Sequence, residues 1–209
     1  MVLKHCLQIN VNFEGVDGLA EGIILAGGKS SRMEQNKMLL QYKNKPIIYH
    51  VVKSMMTHCS KVTIVTGFYN IDYKQYLQEF SNVHIVHNDQ HQLGMFSSIK
   101  RAIKDVENDI FLIPGDYPLV KKSTYRKILE GCGPVRVPVC QGRKGHPIFI
   151  SKDLIPSIKI EDLSSNLKVW RDKQSVTYIE VSDRGTLQDI DTIKEYEKLI
   201  LERNDNFED

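Results

Sequence analysis

Six short apolar runs rich in β-branched residues, each leading into a polar or glycine-bearing loop, limit what this chain can fold into more than any other feature. They are GIILAG (22–27), KVTIVTG (61–67), VHIVHN (83–88), DIFLIPGD (109–116), VRVPVC (135–140) and SVTYIEV (175–181). Runs of this length without polar alternation suit strands buried on both faces of a mainly parallel sheet. Between them, Ile47, Ile48, Val51, Val52, Met55 and Met56 share one helical face, as do Phe96, Ile99, Ala102, Ile103 and Val106. The alternation predicts an α/β, doubly wound fold: a mostly parallel sheet with helices on both faces. At 209 residues, a single domain is expected over 22–201, after an extension at 1–21 and before a polar tail at 202–209.

A formal charge of +2 creates no field that would gather nucleic acid or an anionic membrane. The first twenty residues lack a long apolar segment behind a basic start, and no later stretch approaches the roughly 20 apolar residues of a spanning helix. The expectation is a cytoplasmic protein that engages neither membrane nor nucleic acid. Cys6, Cys59, Cys132 and Cys140 lie far apart without a C-x-x-C pair, and read as reduced side chains.

In doubly wound sheets, ligands bind beyond the carboxyl ends of the strands, where helix N-termini face a crevice. The segment from Leu25 to Lys37 occupies such a place. Ala26-Gly27-Gly28 lets the backbone turn and bring amides to phosphate oxygens without Cβ atoms in the way. Arg32 and Lys37 then offer two cations to one triphosphate, the first as a fork of donors and the second as a point charge. A solvated strand-to-helix turn is the bland alternative. A Walker loop ending at Gly28-Lys29-Ser30 would need glycine at position 23, which is Ile23, and no G-x-G-x-x-G fingerprint is present.

Asp116 follows a buried strand, where its carboxylate would project into the crevice. Asp189 and Asp191 share a face by strand alternation, although Asp191 also reads as the N-cap of the last helix. Magnesium needs only one or two carboxylates beside substrate phosphates and water, so Asp116 and Asp191 suffice as a pair. Asn88 and the stretch from Gly94 to Ser98, including Ser97, are candidates for lining the pocket. Asn88 equally suits a turn after a strand, and the two serines suit the first turn of a helix. Trp170 reads as a packing residue.

LAGGKSSRMEQNKMLL resembles the opening motif of the molybdenum cofactor nucleotidylyltransferases, the MobA-like NTP transferases. KPIIYHVV, NDQHQLGMFSSIKRAI, PGDYPLV, GRKGHPIFI and LQDIDTIKEY are similar to that family's later motifs, in the same order. The chain departs from the pattern where Glu34 replaces the glycine after Arg-Met. The resemblance implies a Rossmann-like nucleotidyltransferase that uses Mg2+ at Asp116 and Asp191. Leu25, Ala26, Gly27, Gly28, Arg32, Lys37 and Asn88 would meet the nucleotide, and Gly94, Ser97, Arg143 and His146 the acceptor. Arg32, Lys37, Asp116 and Asp191 would carry the chemistry. The implied reaction transfers a nucleotidyl group from an NTP to the terminal phosphate of molybdenum-bearing molybdopterin, with a molybdenum hydroxylase as the receiver of the product. LAGG is similar to the guanylyl branch, whereas SSRM, the spacing to Lys37 and the Gly-His-Pro segment are closer to the cytidylyl branch, so CTP is favoured over GTP. His146 also reads as a structural histidine beside a strand entry shaped by Gly145 and Pro147. Another phosphorylated acceptor, such as a sugar phosphate, or a non-catalytic cofactor carrier are the competing readings.

Overall fold

The first apolar run folds as β1 (Ala20–Ala26), opening at Ala20 rather than Gly22, and every residue in it is buried. The computed structural model describes residues 20–30, 33 and 35–201. Alternate side chains of β1 enter different cores. Ile23 and Leu25 join Phe96, Ile99 and Trp170 on one side of the sheet, and Ile24 and Ala26 join Ile48, Val52 and Tyr125 on the other. A strand with two cores to fill leaves no place for polar alternation, which is why the run reads as continuously apolar.

The remaining runs form β4 (Cys59–Thr66), β5 (Val83–His87), β6 (Ile110–Pro114), β7 (Val135–Cys140) and β10 (Val176–Glu180). β1 runs parallel to β4 and to β6, β4 to β5, and β7 to β10. Along the main path of the sheet one strand reverses: β9 (Ile148–Ile150) lies antiparallel between β6 and β7. The order across the 8-stranded sheet is β5, β4, β1, β6, β9, β7, β10, with β8 (Arg143–Lys144) folded back against β7. The expected α/β, mostly parallel sheet is therefore present, with this single inverted strand between its two parallel groups.

Helices α1 (Ile47–Met55) and α3 (Lys122–Leu129) bury Val51, Val52, Met55, Tyr125 and Ile128 on one face. On the opposite face α2 (Met95–Ala102), α4 (Ile155–Ile160) and α5 (Leu167–Arg171) contribute Ile99, Ile158 and Trp170. Trp170 is a packing residue, as expected; its buried indole N–H is satisfied by Ser157 Oγ at 3.0 Å. A third cluster joins Tyr42, Ile47, Ile190 and Leu199, which seats α6 (Ile193–Leu201) near the hairpin of β2 (Gln41–Tyr42) and β3 (Lys45–Pro46). No described helix is long and apolar enough to cross a membrane. Cys59 and Cys140 are buried free thiols, whereas Cys132 is disulfide-bonded, contrary to the expectation that all the cysteines are reduced.

Candidate active site

The carboxyl ends of β1, β4 and β6 open into one cavity of about 970 Å³. Gly27 and Gly67, the residues after β1 and β4, meet backbone to backbone: the Phe68 N–H donates to Gly27 O at 3.1 Å. A Cβ on Gly67 would lie 2.8 Å from that oxygen and 2.7 Å from His91 Cβ, so only glycine lets the two loops approach. Gly28, by contrast, has nothing within 4 Å of where its Cβ would be. Its backbone faces open cavity, as a phosphate loop requires. Leu25, Ala26, Gly27 and Gly28 all line the wall, joined by Lys29 and Ser30. Arg32 and Glu34 lie outside the described residues.

Opposite the loop, three carboxylates converge. Asp116 stands two residues beyond β6, and its carbonyl accepts from the Ile190 N–H at 3.0 Å. That bond brings the 188–192 stretch across to β6. Asp189 and Asp191 flank Ile190, whose side chain is buried in the third cluster. Although no strand forms there, alternation about a buried isoleucine turns both aspartates toward Asp116. One oxygen from each of Asp116, Asp189 and Asp191 lies within 4.8 Å of the others.

The N-cap of α6 is Thr192, not Asp191. Thr192 Oγ1 accepts from the Glu195 N–H at 3.3 Å, and Glu195 Oε2 accepts from the Thr192 N–H at 2.8 Å, a reciprocal capping box. Asp191 is thereby left to the cavity.

Lys37 reaches into this acidic group. Its ammonium donates to Asp116 Oδ2 and, at 2.6 Å, to Asp191 Oδ1. Burial opposes the charge on Lys37, yet the Asp116 and Asp191 carboxylates outweigh it and hold the ammonium above the ordinary lysine range. At Asp116 burial prevails over the neighbouring lysine and raises the carboxyl above its usual range. Asp116 Oδ1 is buried without a hydrogen-bond partner. An orphaned carboxylate oxygen within a cluster of three suits a hard divalent cation, which favours oxygen donors.

The acceptor candidates divide. Gly94 and His146 line the cavity. The His146 ring rests edge-on against Tyr117 with centroids 5.0 Å apart, and burial pushes its pKa down to about 4, so it is neutral near pH 7. Gly145 is required structurally, because a Cβ there would come within 2.4 Å of Thr186 O. Arg143 is exposed on β8 outside the wall, although its charge is felt at the Tyr117 phenol.

Asn88 and Ser97 do not line the cavity. The Asn88 amide donates to Ser97 Oγ at 2.8 Å and to Ser98 Oγ at 3.0 Å, while its oxygen accepts from the Gln90 N–H at 3.1 Å. Its hydrogen-bonding capacity is taken up within the chain, so the turn reading of Asn88 describes what the side chain does.

Sequence reasoning did not single out Tyr117 or Phe68 as site residues, nor Asp189 as a metal ligand, whereas Met95 lies in the 94–98 stretch expected at the pocket. Phe68 and Met95 line the wall while 46% and 57% exposed. Lys29 stands over the Phe68 ring at 5.3 Å from its centroid. The available signal was positional: Phe68 follows the glycine at the end of a strand, as Gly28 follows β1.

A family model described as the MobA-like NTP transferase domain matches residues 22–175. A molybdenum cofactor cytidylyltransferase of Escherichia coli (strain K12) is 32% identical over 176 residues, spanning 81% of this chain and 90% of the relative. A probable molybdenum cofactor guanylyltransferase of Aquifex aeolicus (strain VF5) is 27% identical over 191 residues, spanning 87% and 90%. Among solved structures, a nucleotidyl transferase from Methanothermobacter thermautotroptrophicus superposes with a TM-score of 0.75 at 22% identity, covering 88% of this chain and 97% of that one.

Proposed function

Because this chain belongs to the MobA-like NTP transferase family and is a nucleotidyltransferase, we propose that it transfers a cytidylyl group from CTP to the terminal phosphate of molybdenum-bearing molybdopterin, releasing pyrophosphate. The observation that carries this reading is the convergence of Asp116, Asp189, Asp191 and Lys37 on one cavity, opposite the open backbone of Gly28. The cytidylyltransferase relative supports CTP. The guanylyl alternative is favoured by LAGG at 25–28 and by the Aquifex relative.

In this reading the amides of the 27–30 loop hold the β- and γ-phosphates, with Arg32 and Lys37 as their cations. Phe68 and Met95 receive the flat face of the base. Asp116, Asp189 and Asp191 hold a divalent metal, magnesium by preference for few carboxylates and substrate oxygens, which when bound polarises the phosphoryl oxygens as a Lewis acid. A phosphate oxygen of the acceptor attacks the α-phosphorus in line, forming one P–O bond as the bond to the β-phosphate oxygen breaks. No protein nucleophile is needed. Lys37 offsets charge on the departing pyrophosphate, and the rigid ends of β1 and β6 fix the approach of the two substrates. Neutral His146, with Tyr117 beside it and Arg143 at the cavity's edge, meets the acceptor, whose nucleotide-bearing product would pass to a molybdenum hydroxylase.

Pyrophosphate release from CTP and from GTP, measured with the molybdenum-loaded cofactor, tests the reading. Release with CTP supports it, and release with GTP alone replaces it with the guanylyl reading. No release with either nucleotide, but release with a sugar phosphate acceptor, would assign another substrate class. Cofactor binding without turnover would make the protein a carrier.

A further inference from the structure

Lys37 engages two of the three carboxylates that could hold a metal ion. Its ammonium bridges Asp116 Oδ2 and Asp191 Oδ1, and the other oxygen of Asp116 is buried. An incoming ion thus finds the ammonium already seated between Asp116 and Asp191, beside the unpartnered Asp116 Oδ1. The lysine backbone is fixed by its surroundings. Asn36 caps the turn, accepting from the Met38 N–H at 2.9 Å and donating to Tyr73 Oη at 3.1 Å, and Met38 is buried at 4% exposure. What remains free to move is the four-carbon stem of the lysine.

We infer that Lys37 is a removable stopper: in the empty enzyme it holds the metal-binding carboxylates together, and it excludes a divalent ion until a triphosphate draws the ammonium away. The inference rests on the proposed role of the cavity as an NTP and metal site. Three carboxylates this close repel one another unless a cation lies among them. Lysine supplies that charge within the chain, so the empty cluster remains assembled without metal. A divalent ion needs the same carboxylates, and an ammonium beside it would be repelled. A triphosphate lying on the 27–30 loop gives the ammonium a more highly charged partner across the cavity, to which the stem can swing without any backbone shift. Nucleotide and metal therefore tighten each other's binding, by the same factor in each direction. The enzyme takes up its metal with the nucleotide rather than before it.

The test uses Mn2+ as the probe, followed by its electron paramagnetic resonance signal, with the full chain and no nucleotide. Lys37→Met is expected to bind Mn2+ on the order of tenfold or more tighter than the wild type, within the usual range of coupling between sites. Adding Asp116→Asn to Lys37→Met should remove the gain, which places it at this cluster. Thermal melting supplies a second readout: Mn2+ should raise the melting temperature of Lys37→Met more than that of the wild type. Should Lys37→Met melt too low to assay, Lys37→Gln, which removes the charge and keeps a polar side chain, takes its place. Equal Mn2+ affinity in wild type and variant, or weaker affinity in the variant, would overturn the stopper. A further arm adds a non-hydrolysable CTP analogue to the wild type. Mn2+ bound in that arm without any gain in Lys37→Met would reject the stopper alone. Mn2+ bound in no arm would reject the metal role of the aspartates as well.

Discussion

Asn88 donates its side-chain amide to Ser98 Oγ at 3.0 Å, tying the residue just after β5 to a cavity-lining residue of α2. With the bonds to Ser97 and Gln90, this buried amide closes the 88–98 loop over the first turn of the helix. Asn88→Ala would remove the buried hydrogen bonds to the Ser97 and Ser98 hydroxyls and cost about 1–3 kcal/mol. The urea midpoint should fall accordingly, and KM for the nucleotide should rise as the loop loosens. An unchanged midpoint would contradict the structural role.

Phe68 presents an exposed ring to the cavity. If the base stacks there, Phe68→Ala forfeits about 1–3 kcal/mol. KM for the nucleotide should then rise by roughly 5- to 150-fold while kcat changes little, and Phe68→Tyr should retain most of the affinity. Steady-state kinetics at saturating acceptor separates the two parameters. A drop in kcat at constant KM would place Phe68 elsewhere in the reaction.

The three carboxylates differ in setting, since Asp116 is buried whereas Asp189 and Asp191 are partly open. Asp116→Asn should lower kcat by about 100- to 1000-fold, as expected for a fixed group that acts on developing charge. Asp189→Asn removes one charge from the cluster and should raise the metal concentration needed for half-maximal turnover on the order of tenfold. Titrating activity with magnesium in each variant checks both. No change in the Asp189 variant would reduce the ligand set to the pair of Asp116 and Asp191.

His146 gives the protein a pH-dependent stability. Burial holds its pKa at about 4, against 6.5 for an exposed imidazole. Between those values the unfolded chain binds a proton that the folded one refuses, so stability increases with pH. The contribution is complete above pH 6.5 and is lost as pH falls toward 4, amounting to at most about 3 kcal/mol. His50 and His58, also lowered by burial, add slopes of the same sign. Comparison with His146→Gln isolates its share: urea midpoints between pH 4.5 and 7 should vary less in the variant than in the wild type.

The central strands were legible because each is buried on both faces, and burial of that kind writes an uninterrupted apolar run. β9 is only Ile148–Ile150, too short for a run to distinguish its direction, and its reversal depends on the neighbours it fits between. The β2–β3 hairpin left one local trace, Lys43-Asn44, both of which adopt positive φ. Within the site, the phosphate loop and Asp116 could be found from their place after a strand. The bridge from Lys37 to Asp191 could not, because it joins positions 154 residues apart that long-range contacts such as the bond from Ile190 to Asp116 bring together. On sequence alone Asn88 suits both a ligand role and a turn, and the hydrogen bonds it makes in the structure are those of the turn.

That bond from Ile190 to Asp116 also joins two parts of the acidic cluster that are made at different times. During synthesis, every described strand of the sheet has been translated by Glu180, and the 27–30 loop long before that. Asp189 and Asp191 follow only afterwards. The acidic cluster is therefore completed late, after the scaffold exists, and a product cut short ahead of Gln188 would retain the described sheet strands but only one of the three carboxylates.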